Sequence, residues 1–116
     1  MAIQIKQSAT FMWPVEVMLP KPGGDFDKHT FDIEFRRLST EEWQGLVEKM
    51  GEGKIDFSNI AMRVVAGWGP GVESEPGVPV PFSDSALREL LNILQVPGAI
   101  FSAYAKTLNG AAREKN

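Results

Sequence analysis

From residue 11 to residue 19 every odd position is apolar: Phe11, Trp13, Val15, Val17 and Leu19. The even positions between them include Pro14 and Glu16. Period-two alternation of this kind predicts a β-strand with one buried face and one open face. Met12 and Met18 then fall on the face opposite Trp13. The alternation returns where Phe31, Ile33 and Phe35 are interleaved with Thr30, Asp32, Glu34 and Arg36. The intervening PKPGGD, residues 20–25, is turn chemistry, so the two segments predict an antiparallel hairpin with a long connection. Pro14 has no N–H to give to a ladder, which places its strand at a sheet edge or at a bulge. Ile3 and Ile5 alternate in the same way and suggest a short third strand. Two strands alone are marginal in water, and other elements must cover their apolar face.

After residue 38 the period changes from two to 3.6. Ser39, Thr40, Glu41 and Glu42 fit a capping box, with Trp43, Leu46, Val47 and Met50 at i, i+3, i+4, i+7 and Gly51 as the stop. A second helix is expected to start near Asp56 or Ser58, with Ile60, Ala61, Val64, Val65 and Trp68 on its apolar stripe. Ser83 is placed to cap a third helix bearing Leu87, Leu90, Leu91 and Leu94. Pro97 suits the first turn of a fourth, which carries Phe101, Tyr104, Ala105 and Leu108 and is closed by Asn109 and Gly110. Strands first and helices after is the α+β order. The expected organisation is one domain over residues 1–116. It comprises a hairpin region at 1–38, a helical region of about four helices at 39–110 and a flexible polar tail at 111–116.

The stretch AGWGPGVESEPGVPVPFS, residues 66–83, interrupts the helical pattern with Gly67, Gly69, Gly71 and Gly77 and with Pro70, Pro76, Pro79 and Pro81. A phosphate cradle needs a preceding strand, free backbone N–H groups and commonly a lysine. Here a helix is expected before the glycines, Pro70 lacks a donor, and the next charges are Glu73 and Glu75. Glu73, Glu75 and Asp84 do not follow the ligand register of a calcium loop. Fixed proline φ angles alternating with permissive glycines suit an ordered spacer instead, with a disordered linker as the rival reading. It would anchor Trp68 and Phe82 and set the angle between helices two and three.

Composition narrows the chemistry. The 116 residues contain no cysteine, which excludes thiol nucleophiles, disulfide scaffolds and cysteine-based zinc sites. The net charge of −3 argues against a phosphate-backbone partner, since that affinity comes mainly from Lys and Arg. No apolar run approaches the roughly 20 residues needed to span a bilayer, no helix has the basic face of a membrane-surface helix, and the first ten residues lack a signal-peptide core. The expectation is a soluble intracellular protein. His29 is the sole histidine, beside Lys28 at the mouth of the second strand, and reads as an exposed turn residue. Glu41 and Glu42 read as charges complementing a helix N-terminus. With no acid–base pair standing out, the chain is read as no enzyme, with no cofactor and no metal. The unusual feature is aromatic and thioether content outside the obvious core positions, which serves either the core of a small fold or a protein-binding surface, and Trp68, Phe82, Met12, Met18 and Tyr104 are the candidate partner-binding side chains.

The order of these segments resembles a known family. FMWPVEVMLP is followed by a glycine-bearing turn and a strand closing in FDIEFRRLS. Then come Gly67-Trp68 with Val72, the Pro81-Phe82-Ser83 that opens a leucine-rich helix, and a last helix with Tyr104 leading to a KN ending. This is similar to the tail assembly chaperones of long-tailed bacteriophages and their prophages. The resemblance implies a β-hairpin packed on helices, self-association into homo-oligomers, and binding of the tape-measure protein to keep its extended apolar helices soluble. It also implies engagement of the tail tube protein through a frameshift-extended form. Action would be in the cytoplasm of the bacterial host, with no place in the mature virion. Glu114, Lys115 and Asn116 permit an A-rich slippery codon run. The rival reading is a small structural tail or head–tail completion protein.

Overall fold

The computed structural model describes residues 1–109. The predicted hairpin forms from β1 (Thr10–Lys21) and β2 (Asp25–Arg36), paired antiparallel from Thr10–Arg36 to Lys21–Asp25. Its odd-numbered side chains Val15, Val17, Phe31, Ile33 and Phe35 are buried, as the alternation requires. Among the described residues the sheet order is β1, β2 and then β3 (Val65–Trp68), which puts β1 at the edge. The place of Pro14 follows from hydrogen-bond phase. Its partner Asp32 donates its N–H to Pro70 C=O (3.1 Å) and accepts from Gly69 N–H (2.9 Å), on the side away from β1. Pro14 and Asp32 are therefore a non-hydrogen-bonded pair, and the donor that proline lacks would have faced the open edge. Pro20, six residues on, has the same phase.

The third strand is not at Ile3 and Ile5. Those residues are exposed and lie outside any strand, and the last bond of the β1–β2 ladder, Arg37 N–H to Ala9 C=O, falls four residues beyond them. The third strand is β3 (Val65–Trp68), which the helical pattern had assigned to the second helix. Helix α1 (Thr40–Gly51) has the expected capping box: Ser39 Oγ accepts from Glu42 N–H and the Glu42 carboxylate accepts from Ser39 N–H. Helix α2 (Phe57–Val64) is capped by Asp56, which exchanges the same two bonds with Asn59. It stops at Val64 because the chain turns to pair with β2. The Arg36 guanidinium holds that corner by donating to the carbonyls of Arg63 (3.1 Å) and Val65 (2.8 Å). Ala66 has no partner on β2, so a bulge bends β3 as it leaves the helix.

A small second sheet, β4 (Glu73–Glu75) with β5 (Val78–Pro79), turns at Gly77, whose φ is +83°. Val80 N–H returns to Val72 C=O at 3.0 Å. Helix α3 (Asp84–Leu91) starts at Ser83, whose Oγ accepts from Ala86 N–H. It buries Leu87 and Leu91, but Leu94 lies past its end and is exposed. Helix α4 (Val96–Lys106) has Pro97 in its first turn and buries Ile100, Ala103 and Tyr104. Leu108 lies beyond its end and is exposed. The expected closure at Gly110, the tail at 111–116 and the terminal Glu114-Lys115-Asn116 lie outside the described residues. Helix α4 packs on β1, α2 on β2, β3 and α4, and α3 on α2 and α4. The core therefore lies between one face of the hairpin and the helices, giving the α+β fold.

Candidate partner-binding surface

The even-numbered face of the hairpin has no helix packed on it among the described residues. Met12 is 51 % exposed and Met18 49 %, and Phe26 joins them at 53 %. Pro14 and Pro20 are exposed in the same row, and Pro20 stands directly opposite Phe26. Met12 and Pro20 are eight residues apart, so the apolar stripe runs about 26 Å at roughly 3.3 Å per residue. Glu16 interrupts it, at 3.9 Å from Lys28 across the strands. Beside Met12 the face is closed off by polar bonding, with Thr10 Oγ1 donating to the Glu34 carboxylate at 2.7 Å. Residues 18–30 run beyond the helices, and only Leu19 among them keeps partial cover. The hairpin is thus an arm whose outer face carries an apolar stripe along β1, ending at Phe26, beside the polar Lys28, Thr30, Asp32 and Glu34 of β2.

Phe26 was absent from the residues singled out by sequence. The signal was available in parity. Phe31, Ile33 and Phe35 are odd, so an even-numbered phenylalanine on the same strand must face the other way.

Trp68 and Phe82 meet. Their rings pack edge-to-face, with centroids 4.9 Å apart and an interplanar angle of 86°. Trp68 Nε1–H donates to Val80 C=O at 2.8 Å, and both rings pack half-buried against the core. Gly69 and Gly71 bring this connection against β2. A side chain at Gly71, where φ is +111°, would lie 2.6 Å from Phe31 Cβ and 2.7 Å from Phe31 Cα. The pair clasps the two ends of the spacer.

Tyr104 departs from its expected place on a partner surface. It is 2 % exposed, edge-on to Phe35 at 5.0 Å. Its hydroxyl donates to Arg36 C=O at 2.7 Å and accepts from Leu38 N–H at 3.2 Å. It ties α4 to the junction between β2 and α1, where the backbone has left the sheet and not yet entered the helix. Burial pushes its phenol pKa up from the ordinary 10.0, partly offset by the bond from Leu38. Tyr104 also stands in an aromatic run, since Trp43 lies against it at 5.4 Å, Phe101 stacks on Trp43 at 5.8 Å and Phe57 on Phe101 at 4.6 Å.

Glu42 is held below its ordinary carboxylate pKa, first by the backbone N–H of Ser39 and then by the Ser39 side chain, so its charge is spent on the cap. His29 sits within β2 opposite Val17, with an exposed side chain, rather than in the turn. Among the described residues no group of three or more His, Asp or Glu side chains is placed to hold a metal ion. No helix among them is long and apolar enough to cross a membrane.

Comparison with curated proteins and with solved structures finds no match. Comparison with protein families finds one, described as phage tail assembly chaperone, over residues 1–116. A match along the whole length of a hairpin-and-helix fold with an uncovered apolar arm settles the assignment: the chain belongs to the phage tail assembly chaperone family.

Proposed function

We propose that this protein acts as a non-catalytic chaperone that binds the tape-measure protein and keeps it soluble while the tail tube forms. The observation that supports this reading is the uncovered row of Met12, Met18 and Phe26 on the outer face of the hairpin. Methionine side chains are unbranched and polarizable, so they adapt to many apolar partners without demanding one fixed shape. A long helical protein presents a repeating apolar stripe, and such a stripe can be received by a row of this kind. Edge prolines fit the same role. Pro14 and Pro20 remove donors from the free side of β1 and discourage strand-on-strand aggregation while the apolar face stays open.

The partner set in this reading is the tape-measure protein, the tail tube protein through a frameshift-extended form, and further copies of the chain. Action is in the host cytoplasm, and the finished particle lacks the protein. Affinity purification of a tagged chain from cells producing phage tests the proposal. The tape-measure protein is expected in the eluate, and purified particles are expected to lack the tag. Recovery of the tag in intact particles, with no tape-measure protein in the eluate, would favour the structural tail or completion protein and overturn the chaperone reading.

A further inference from the structure

The apolar arc of helix α3 is covered unevenly. Leu87 and Leu91 are buried in the core, while Ala86 and Leu90 at its flank, with Ile93 just past the helix end, line a groove of about 270 Å³ against the second sheet. The opposite wall is Val72 and Val80, with Glu73 and Ser74 above them. Ile93 is 41 % exposed. An apolar arc is normally covered across its whole width, and the flank of this one at Ala86 and Leu90 is only half-buried among the described residues.

The rims supply the charge. Glu89 stands on the α3 side and Glu73 on the β4 side, and no Lys or Arg lines the groove among the described residues. Neither carboxylate belongs to an ion pair there. Glu73 spends one oxygen on the N–H of Gly77 at 3.2 Å, which holds it at the rim. Arg88, the one cation of α3, faces a different hollow, beside Ser58, Asn59 and Met62 of α2.

We propose that the groove between the β4–β5 hairpin and α3 is a docking site for an amphipathic helix whose apolar stripe is flanked on both sides by Lys or Arg. An apolar floor between two acidic rims complements that pattern and repels a stripe flanked by acids. The eight residues of α3 are about 12 Å long at 1.5 Å per residue, so the groove engages roughly two turns of the partner. The site is separate from the outer face of the hairpin and stands independently of the chaperone reading.

The test uses two labelled synthetic peptides of about 18 residues, long enough to form helix in water. One has a leucine stripe flanked by lysines, and its twin has glutamate in place of every lysine. By fluorescence anisotropy the lysine peptide is expected to bind at least about tenfold more tightly than its twin, and less tightly as salt is raised. The double variant Glu73→Lys/Glu89→Lys is expected to reverse the preference, and Ile93→Asp to abolish binding of both peptides. Both variants are at exposed positions, and their thermal melts should match the parent. Met18→Glu/Phe26→Glu is expected to keep the preference for the lysine peptide over its twin, because that preference comes from Glu73 and Glu89. Binding that ignores peptide charge, absence of binding, or loss through the hairpin variant alone would overturn the proposal. So would a dimer, seen by sedimentation, that Ile93→Asp dissociates, since a second copy would then fill the groove.

Discussion

Replacing Gly71 by alanine should be among the most damaging single-methyl additions in the chain. The new Cβ would meet Phe31 Cβ at 2.6 Å, Phe31 Cα at 2.7 Å and Thr30 O at 2.9 Å, and two of these three atoms are backbone. Strand β2 cannot yield cheaply there, because Phe31 is in the core and Thr30 is paired with Glu16 of β1. Overpacking of this kind costs about 1–3 kcal/mol. The φ of +111° adds backbone strain of roughly 1–3 kcal/mol. Relief by lifting the connection away would loosen the bonds Asp32 N–H to Pro70 C=O and Gly69 N–H to Asp32 C=O, at about 1 kcal/mol each. Against this, alanine lowers the entropy of the unfolded chain, worth about 0.4–1 kcal/mol. The net expectation is a loss of about 3 kcal/mol. Gly77→Ala is the internal control: its φ is +83°, but nothing lies within 4 Å of the added carbon. That variant should lose only about 1 kcal/mol of strain. Urea unfolding followed by tryptophan fluorescence reads both. Losses equal within about 0.5 kcal/mol would refute the claim that residues 69–72 are packed against β2.

Tyr104→Phe strands a carbonyl and an N–H at the junction after β2 and should cost about 1–2 kcal/mol in the same assay. Because its phenol pKa is raised in the fold, the protonated form contributes stability that is whole below about pH 10 and falls as pH rises toward the folded value. Tyr104→Phe should flatten that alkaline limb, and tyrosinate absorbance should lag behind that of a free tyrosine. Ser39→Ala should cost about 1 kcal/mol through the lost cap of α1. Glu42, whose pKa is lowered, contributes stability present above its unfolded pKa and lost as pH falls through the folded one, so Glu42→Gln should make the acid limb shallower. Met18→Glu/Phe26→Glu lies on the open face and should shift stability by less than about 0.5 kcal/mol per site while abolishing capture of the tape-measure protein.

The hairpin was legible because alternation over nine residues has one interpretation, and the caps at Ser39, Asp56 and Ser83 because side-chain oxygens before an apolar stripe have few other uses. Val65–Trp68 was not legible as a strand. Val64, Val65 and Trp68 continue a 3.6-residue stripe from Ile60, and over four residues that period and a period of two cannot be told apart. What decides is non-local: β2 has a free edge at Ile33–Phe35, and the Arg36 guanidinium donates to the Arg63 and Val65 carbonyls where the chain turns. Leu94 and Leu108 were overextended for a related reason, since an apolar residue in phase with a helix says nothing of where its hydrogen bonds stop. Ile3 and Ile5 alternate, yet have no neighbouring strand to pair with. At the candidate surface, Met12 and Met18 were legible by parity. Trp68 and Phe82 were named as the ends of a spacer, and their edge-to-face contact depended on a fold of the intervening residues that local propensity does not specify. Tyr104 shares its helix face with Ile100, and only tertiary placement reveals that its hydroxyl is used inside the fold.

The most direct test of the chaperone account is the solubility of the tape-measure protein co-expressed with this chain, with the Met18→Glu/Phe26→Glu variant and with neither. The account predicts a soluble tape-measure protein only beside the unaltered chain. A tape-measure protein that stays in the pellet in all three cultures, or that the variant rescues as well as the parent, would contradict it.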